Sequence, residues 1–308
     1  MSALDDLMGV LDKAIGQNAT VQSVKDFIDT GYPPLNKTIS GRFNGGLPYG
    51  RIVEVYGGSS CGKTALATQW MVQAQHLGGV AIFIDWERSF DIDLAKGFGL
   101  NDQRPFWIYV KPKTWEEGNI IAAKACKAIR DSSAIDPNAP ILCVFDSVAS
   151  AIPQSMSEKE IDEYTMNDTT ALARVASTTL KSMAQHAETF LYLNQVRTKP
   201  GVVYGDATTT TGGTAMEFYS TVRMQLSRKK ITENRDGGKT FVGQTINVKC
   251  TKSKLTKPFQ ECALDMVYDD LGVARFDAVG STLQYLIDTK KIATSGPRVT
   301  WTDGKNYW

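Results

Sequence analysis

Several short segments of the chain are apolar at almost every position rather than at alternate positions. They are residues 52–56, 80–85, 106–110, 141–145 and 189–193. Uninterrupted hydrophobicity of this length is typical of a strand that is buried on both faces, as in a parallel sheet covered by helices. The pattern therefore predicts a mostly parallel central sheet.

Segments of helical character lie between these predicted strands, at 65–75, 115–130 and 171–187. Strands that alternate with helices form βαβ units. We therefore predict an α/β fold whose mostly parallel central sheet is flanked by helices. Further along, 218–228 and 244–253 are predicted to be antiparallel strands around a turn at 236–238.

The two ends of the chain differ from this central region. Apolar residues recur at helical spacing within 2–15, which predicts an amphipathic helix that either packs on its own domain or docks on a neighbouring subunit. A polar linker with a turn at 32–34 is expected to follow. We also expect a helix at 279–287. The predicted organisation is an N-terminal helix and linker (1–34), a core of alternating strands and helices (35–270) and a small C-terminal extension (271–308).

A glycine-rich segment joins the first predicted strand to the first predicted helix. It reads G-x-x-x-x-G-K-T and comprises Gly57, Gly58, Ser59, Ser60, Cys61, Gly62, Lys63 and Thr64. In this setting the loop amides and the helix N-terminus face one anionic phosphate chain, as in a P-loop. Lys63 is predicted to reach the terminal phosphates, and the Thr64 hydroxyl to bind Mg²⁺. ATP and Mg²⁺ are the predicted ligands.

Two acidic residues follow buried strands, where open α/β sheets hold their ligands. Asp146 closes an apolar strand downstream of the P-loop, the Walker B arrangement, and is predicted to hold Mg²⁺ or its water shell opposite Thr64. Glu87 is a candidate to orient or deprotonate the water that attacks the γ-phosphate. Taken alone, Glu87 fits an acidic loop residue in solvent equally well.

A neutral amide, Gln195, ends a later strand and could sense a γ-phosphate by hydrogen bonding. The segment after it, 196–213, is rich in glycine, threonine and basic residues, which suits contact with a phosphate backbone. Composition alone favours an ordinary surface loop over this interpretation. The candidate DNA contacts are Arg197, Lys199, Gly201, Thr209, Thr210, Thr211, Gly212 and Gly213.

Composition limits the function classes only weakly. The 308 residues include 34 Lys and Arg against 33 Asp and Glu, so a basic surface must be local. Five widely spaced cysteines without a C-x-x-C pair indicate reduced thiols and a cytoplasmic protein. Apolar runs are too short to span a membrane, and no membrane partner is expected.

From about Leu35 to Met266 the chain resembles a RecA-type homologous recombinase. The resemblance rests on the P-loop with its approach from Gly46, on Asp85 and Glu87, on 146–149, and above all on 194–197 through 209–219. It implies a RecA-like core and a DNA-dependent ATPase that forms helical filaments on single-stranded DNA. It further implies pairing and strand exchange with homologous duplex DNA. The short part after Gly272 is what we expect of a compact, phage-encoded member.

The family also implies roles for individual residues. The residue matching Glu87 activates water, and the one matching Gln195 couples the γ-phosphate to the DNA-binding loop. Lys252 and Lys254 match lysines that reach the ATP of the adjacent subunit. Leu94 stands where the family usually has an aromatic residue against adenine, which assigns more of base recognition to Asp91. The loop 155–170 has the family's position but lacks its glycine-flanked sequence.

Two other functions fit the same core. One is a RecA-fold motor or helicase-like ATPase without strand exchange, which a homologous-pairing assay separates. The other is a nucleotide-gated scaffold that barely hydrolyses ATP, and Glu87 with Gln195 argues against it.

Overall fold

The computed structural model describes residues 23–157, 170–198, 208–235, 238–269, 271–295 and 298–301, and the isolated residues Asp5, Val10 and Lys13. These three residues are helical. The rest of the expected helix at 2–15 lies outside the described residues, as does most of the loop 155–170. The predicted DNA contacts Lys199 and Gly201 lie outside them too.

The described helices and strands alternate through the first two thirds of the chain. The helices are α1 (Pro33–Ser40), α2 (Lys63–His76), α3 (Ile92–Gly97), α4 (Trp115–Ser132), α5 (Ala171–Met183), α6 (Thr214–Tyr219) and α7 (Ala278–Asp288). The strands are β1 (Phe27–Ile28), β2 (Leu47–Pro48), β3 (Ile52–Gly57), β4 (Val80–Asp85), β5 (Trp107–Val110), β6 (Ile141–Asp146), β7 (Thr189–Thr198), β8 (Thr208–Thr210), β9 (Val222–Arg235), β10 (Gly238–Ser253), β11 (Glu261–Tyr268), β12 (Ala274–Asp277), β13 (Ile292–Ser295) and β14 (Arg298–Trp301).

One large mixed sheet organises the described part of the chain. Its strand order is β12-β11-β10-β9-β3-β7-β6-β4-β5, and β8 pairs with β7 off this path. The strands from β9 through β5 run parallel, whereas β10, β11 and β12 extend the sheet antiparallel. The predicted α/β fold with a parallel centre is confirmed.

The apolar strands form the centre of this sheet because both of their faces are covered. Every residue of β3, β4 and β6 is buried. Successive side chains of a strand point to opposite faces, and they divide here between two apolar clusters. Phe83 belongs to the cluster around Trp70, and its neighbour Ile82 belongs to the cluster around Trp115. Two-sided burial explains the continuous hydrophobic runs of the sequence.

Some predicted boundaries differ from the structure. The expected turn at 32–34 is instead the start of α1, because Pro33 fits the first helical turn, where its missing N–H is not needed. Tyr32 is buried, and its hydroxyl donates to the Ala263 carbonyl at 2.7 Å, so this segment belongs to the core. Residues 218–219 end α6 rather than open a strand, since Met216 buries one face of that helix. Strand β7 continues beyond 193 because Val196 pairs with Thr210.

Other expectations agree with the described residues. Each of the five cysteines is a free, buried thiol. The predicted antiparallel pair is present as β9 and β10. In the described part of the chain, no helix has the length and apolar character that crossing a membrane requires.

Gly118 tests the packing of α4 on the sheet. A Cβ at this position would lie 2.5 Å from Trp86 Cζ2 and 3.0 Å from Ile84 Cγ2. Alanine normally favours a helix over glycine by about 1 kcal/mol, but overpacking costs about 1–3 kcal/mol. We therefore expect Gly118→Ala to lower the free energy of unfolding measured in urea. Ala128→Gly, on the exposed side of α4, is the control and should lose only the helix-propensity term. A Gly118→Ala protein more stable than wild type would contradict this packing.

Candidate nucleotide-binding and hydrolysis site

The predicted P-loop connects the carboxyl end of β3 to the first turn of α2. Gly62 has φ +91°, a left-handed conformation that glycine adopts readily, and α2 begins directly after it. Among the described residues no side chain caps this helix. Its first N–H groups are therefore available to an anion, which the helix dipole also favours.

The P-loop lysine lies inside the curve of the loop. Lys63 Nζ donates to the carbonyl oxygens of Gly58 at 2.8 Å and Gly57 at 3.3 Å. Ser59 and Ser60 are exposed, whereas the Cys61 thiol is buried and its pKa is raised by that burial. The loop therefore presents one cation and backbone donors, and its cysteine packs inward.

The two predicted metal ligands are in contact. Thr64 Oγ1 donates to Asp146 Oδ2 at 2.7 Å, which joins the start of α2 to the end of β6. Burial raises the pKa of Asp146 to about 7, and the negative charges of Glu87 and Asp85 add to this effect, while Thr64 and Lys63 oppose it. A hydroxyl beside a buried carboxylate in excess negative charge fits Mg²⁺, which prefers oxygen ligands and would neutralise this charge.

The Glu87 side chain is exposed on a turn whose backbone is held firmly. The amides of Trp86 and Glu87 both donate to the Asp146 carbonyl, at 2.8 and 3.1 Å. The buried Asp85 carboxylate accepts from the Arg88 amide at 2.5 Å and from the Tyr109 hydroxyl at 2.7 Å. These bonds fix the position of Glu87 next to Asp146 and leave its carboxylate free to meet a ligand.

Strand β7 brings the predicted amide sensor to the P-loop. In the parallel pairing of β3 with β7, Gln195 lies opposite Gly57, the first P-loop residue. The side chain of Gln195 is half-buried. The preceding residue, Asn194, is fully buried and donates to Glu54 Oε1 and to the Thr211 carbonyl, both at 2.8 Å.

The described ends of the predicted DNA-contact segment pair with each other. Arg197 lies opposite Thr209, and its Nε donates to Thr211 Oγ1 at 3.0 Å. Thr210 is buried, and its hydroxyl accepts from Arg223 Nη2 at 3.2 Å, so its side chain points inward. Gly212 and Gly213 both have positive φ, at +91° and +67°, which lets the chain turn from β8 into α6.

Lys252 and Lys254 lie far from the P-loop of their own subunit. Lys252 is opposite Arg223, which in turn pairs with Glu54, three residues before Gly57. At about 3.3 Å per residue, the two lysines therefore lie roughly 10–16 Å from the P-loop along the strand direction. Lys252 Nζ donates to the carbonyl oxygens of Glu217 and Phe218. Burial and the neighbouring cation of Lys254 lower the pKa of Lys252.

Comparison with known proteins decides the family. The model of the RecA N-terminal domain matches residues 4–274.

The chain belongs to the RecA family.

Similar proteins are bacterial and match over most of their length. Protein RecA of Desulforapulum autotrophicum is 32% identical over 305 residues, covering 96% of this chain and 81% of that protein. Protein RecA of Clostridioides difficile is 33% identical over 317 residues, covering 99% and 84%. Protein RecA 1 of Myxococcus xanthus is 36% identical over 256 residues, covering 82% and 69%.

Membership of the RecA family confirms the activity that the resemblance implied. The chain is a DNA-dependent ATPase of homologous recombination with strand exchange, and its family binds nucleotide and DNA and forms filaments. The comparisons leave the roles of individual residues open, and favour neither the motor without strand exchange nor the scaffold.

Sequence reasoning missed three polar residues that contact the site. Arg228 Nη1 donates to the Ser60 carbonyl at 3.0 Å and so supports the P-loop from β9. Glu54 and Arg223 form a buried ion pair with 2.5 Å between Oε2 and Nε. Glu54 gave a visible signal, because a carboxylate within an apolar strand requires a partner. Nothing in the sequence pointed to Arg223 as that partner.

Asp91, the residue predicted to recognise the adenine base, caps a helix in the structure. Asp91 Oδ1 accepts from the amides of Asp93 and Leu94 at 2.9 and 3.0 Å, which caps α3. Leu94 is 45% exposed. Base recognition by Asp91 therefore stays a prediction, and it must be compatible with the capping role.

Asp146 gives the site a testable pH dependence. With a pKa of about 7, its carboxyl group is mostly protonated at pH 6 and mostly ionised at pH 8. A divalent cation binds the ionised form, so cation affinity should rise roughly tenfold over this interval. We would measure Mn²⁺ binding by EPR with a non-hydrolysable ATP analogue present.

Asp146→Asn is the control, because the nucleotide phosphate also titrates near neutral pH. The variant should bind Mn²⁺ more weakly at pH 8 and show a smaller rise from pH 6. An equal rise in both proteins would contradict the assignment of Asp146.

Proposed function

We propose that the protein hydrolyses ATP with Mg²⁺ at sites formed between neighbouring subunits of a helical filament on single-stranded DNA. In that filament it would pair the bound strand with homologous duplex DNA in the cytoplasm. One observation carries the proposal. The P-loop and Glu87 follow the carboxyl ends of the parallel strands, whereas the catalytic candidates Lys252 and Lys254 lie towards the amino ends of β3 and β9. One subunit therefore offers two complementary half-sites.

In the first half-site, each residue has a separate role. Lys63 and the amides at the start of α2 bind the phosphates of ATP, and Arg228 braces the loop through Ser60. Thr64 and Asp146 hold Mg²⁺, which when bound neutralises charge on the phosphate oxygens. Glu87 orients the attacking water and accepts its proton.

In the second half-site, Lys252 and Lys254 approach the ATP of the next subunit. Cations supplied in trans stabilise the charge on the transferring phosphoryl group, as an arginine finger does. Desolvation already lowers the pKa of Lys252, so its charge is held at a cost that an anionic partner would relieve. Bound ATP then stabilises the contact between neighbouring subunits, and its hydrolysis releases the filament.

The flanking parts of the chain complete this arrangement. The arm that docks on a neighbouring subunit is proposed to lie within 1–34, and 271–308 to be a small extension of the core 35–270. The DNA contacts are proposed at Arg197, Lys199 and Gly201, and at 209–213, where Thr210 would contribute its backbone because its side chain points inward. Asp91 is proposed to contact the adenine base.

The alternatives differ in what they do with DNA and ATP. A motor without strand exchange would fail a homologous-pairing assay, and a scaffold would release no phosphate on addition of single-stranded DNA. Electron micrographs with ATP and single-stranded DNA should show helical filaments. Lys63→Ala should form none that depend on ATP, since it loses the cation of the loop.

Mixing two inactive variants tests catalysis across the interface. Glu87→Gln retains both lysines and lacks the base, whereas Lys252→Ala with Lys254→Ala retains the base and lacks the lysines. Each alone should show little DNA-stimulated phosphate release. In mixtures some interfaces pair an intact Glu87 with intact lysines, so activity should return and peak near equal amounts.

A triple variant that carries all three substitutions is the control for mixing. With Glu87→Gln it can form no complete site and should restore nothing. If the two complementary variants stay inactive at every ratio, although both enter filaments, the lysines do not act in trans.

Arg197→Ala with Lys199→Ala tests the DNA contact. Each neutralised phosphate contributes about 0.7 to the salt slope for single strands. Loss of two cations should therefore weaken binding to single-stranded DNA of any sequence and flatten the slope by about 1.4. Fluorescence anisotropy over a salt series measures both. Lys229→Ala with Lys230→Ala, on exposed positions of β9, is the matched charge control. If only the control changes the slope, the DNA contact lies on β9 instead.

A further inference from the structure

A buried polar network joins the P-loop strand to the strands on both sides of it. Glu54 lies inside β3 with 0% exposure. Its Oε2 accepts from Arg223 Nε of β9 at 2.5 Å, and its Oε1 accepts from Asn194 Nδ2 of β7 at 2.8 Å. Both carboxylate oxygens are thus bonded across neighbouring strands, which satisfies a charge that would otherwise be costly to bury.

Arg223 extends this network to three further elements. Its Nη2 donates to Thr210 Oγ1 of β8 at 3.2 Å, and its Nη1 lies 3.5 Å from Glu217 of α6. Its guanidinium group also covers the Tyr56 ring at 4.9 Å. The Arg223 carbonyl accepts from Thr251, the neighbour of Lys252, at 3.3 Å. One side chain therefore contacts β3, α6 and β8. Strand β8 is part of the predicted DNA-contact segment 196–213, called the DNA segment below.

The network is connected to the P-loop through Gln195, which lies opposite Gly57. Asn194 Oδ1 accepts from the Gln195 amide at 2.8 Å, and Asn194 Nδ2 donates to both Glu54 and the Thr211 carbonyl. A displacement of Gln195 must therefore move or break a bond of Asn194. Because Glu54 shares its two oxygens between Asn194 and Arg223, the change reaches Thr210 through one carboxylate.

Stability alone does not explain this arrangement. A buried ion pair is often no more stable than a well-packed apolar pair. An arginine differs from a lysine in offering several donors in one fixed plane, and here that plane bonds Glu54 and Thr210 together. An arginine at position 223 therefore suits a connection between β3 and β8, whereas neutralising the charge of Glu54 would require only a single cation.

We propose that Glu54 and Arg223 are positioning residues that transmit the nucleotide state, read at Gln195, to β8 and so to the DNA segment. This inference rests on the proposed roles of Gln195 and of that segment. Glu54 and Arg223 need touch neither ATP nor DNA. They set the position of β8 relative to β7 when nucleotide is bound.

Hydrogen exchange without DNA tests the connection. With Mg²⁺ and a non-hydrolysable ATP analogue, wild-type protein should gain protection at the P-loop and in peptides that cover 208–213. Thr210→Val removes the acceptor of Arg223 Nη2. Arg223→Lys keeps the charge but loses the planar group that bonds Glu54 and Thr210 through two separate nitrogens. In both variants the P-loop should keep its protection, while the gain at 208–213 falls at least fivefold.

Thr179→Val is the matched control. Thr179 Oγ1 donates to the Val175 carbonyl at 2.8 Å inside α5 and is half-buried, so the variant loses one comparable hydrogen bond outside the network. In this variant the analogue should protect the P-loop and the peptides that cover 208–213 from hydrogen exchange as much as in the wild-type protein. Should Arg223→Lys fail to fold, Thr210→Val decides the outcome.

Two results would overturn the inference. One is an unchanged gain of protection at 208–213 in Thr210→Val and Arg223→Lys. The other is a wild-type protein in which the analogue protects only the P-loop. The proposed function is tested separately, by DNA-stimulated phosphate release of the wild-type protein, so the two failures can be told apart.

Discussion

The parallel register of the central strands is the constraint on which the whole site depends. It sets Gly57 of β3 beside Gln195 of β7, and Asp85 of β4 beside Asp146 of β6. Because the carboxyl ends of parallel strands lie along one side of the sheet, the P-loop, the candidate metal ligands Thr64 and Asp146 and the predicted amide sensor Gln195 lie close together there. Burial of the strands on both faces holds this register, since a slip of one residue would turn each apolar side chain to the other face.

Three acidic residues lie at the carboxyl ends of these strands, and each has a different environment. Asp85 is bonded by the Arg88 amide and the Tyr109 hydroxyl, and it organises the turn without facing the ligand. Glu87 is exposed, so its carboxylate is in contact with solvent. Asp146 is buried with Thr64 as its donor, and burial raises its pKa, with a further rise from the charges of Glu87 and Asp85. A bound divalent cation would offset the negative charge of these three acids.

The sequence allowed good prediction where a residue's position follows from its own strand. The P-loop, Asp146, Glu87 and Gln195 each directly follow an apolar run, so the fold class already located them. Partners from distant strands were beyond reach, as Glu54 with Arg223 and Asp85 with Tyr109 illustrate. Local signals were also ambiguous, since two prolines suit both a turn and the first turn of a helix, and α1 begins at Pro33. The position of Lys252 near the amino end of β9 became clear only from the register of β9 and β10.

The central claim is that two subunits complete one hydrolysis site. It is tested most directly by a cryo-EM structure of the filament on single-stranded DNA with Mg²⁺ and a non-hydrolysable ATP analogue. The account predicts that the ammonium groups of Lys252 and Lys254 lie within hydrogen-bonding distance of the γ-phosphate bound by Lys63 of the adjacent subunit. A filament in which both lysines point away from every nucleotide, with each site closed by one subunit alone, would contradict it.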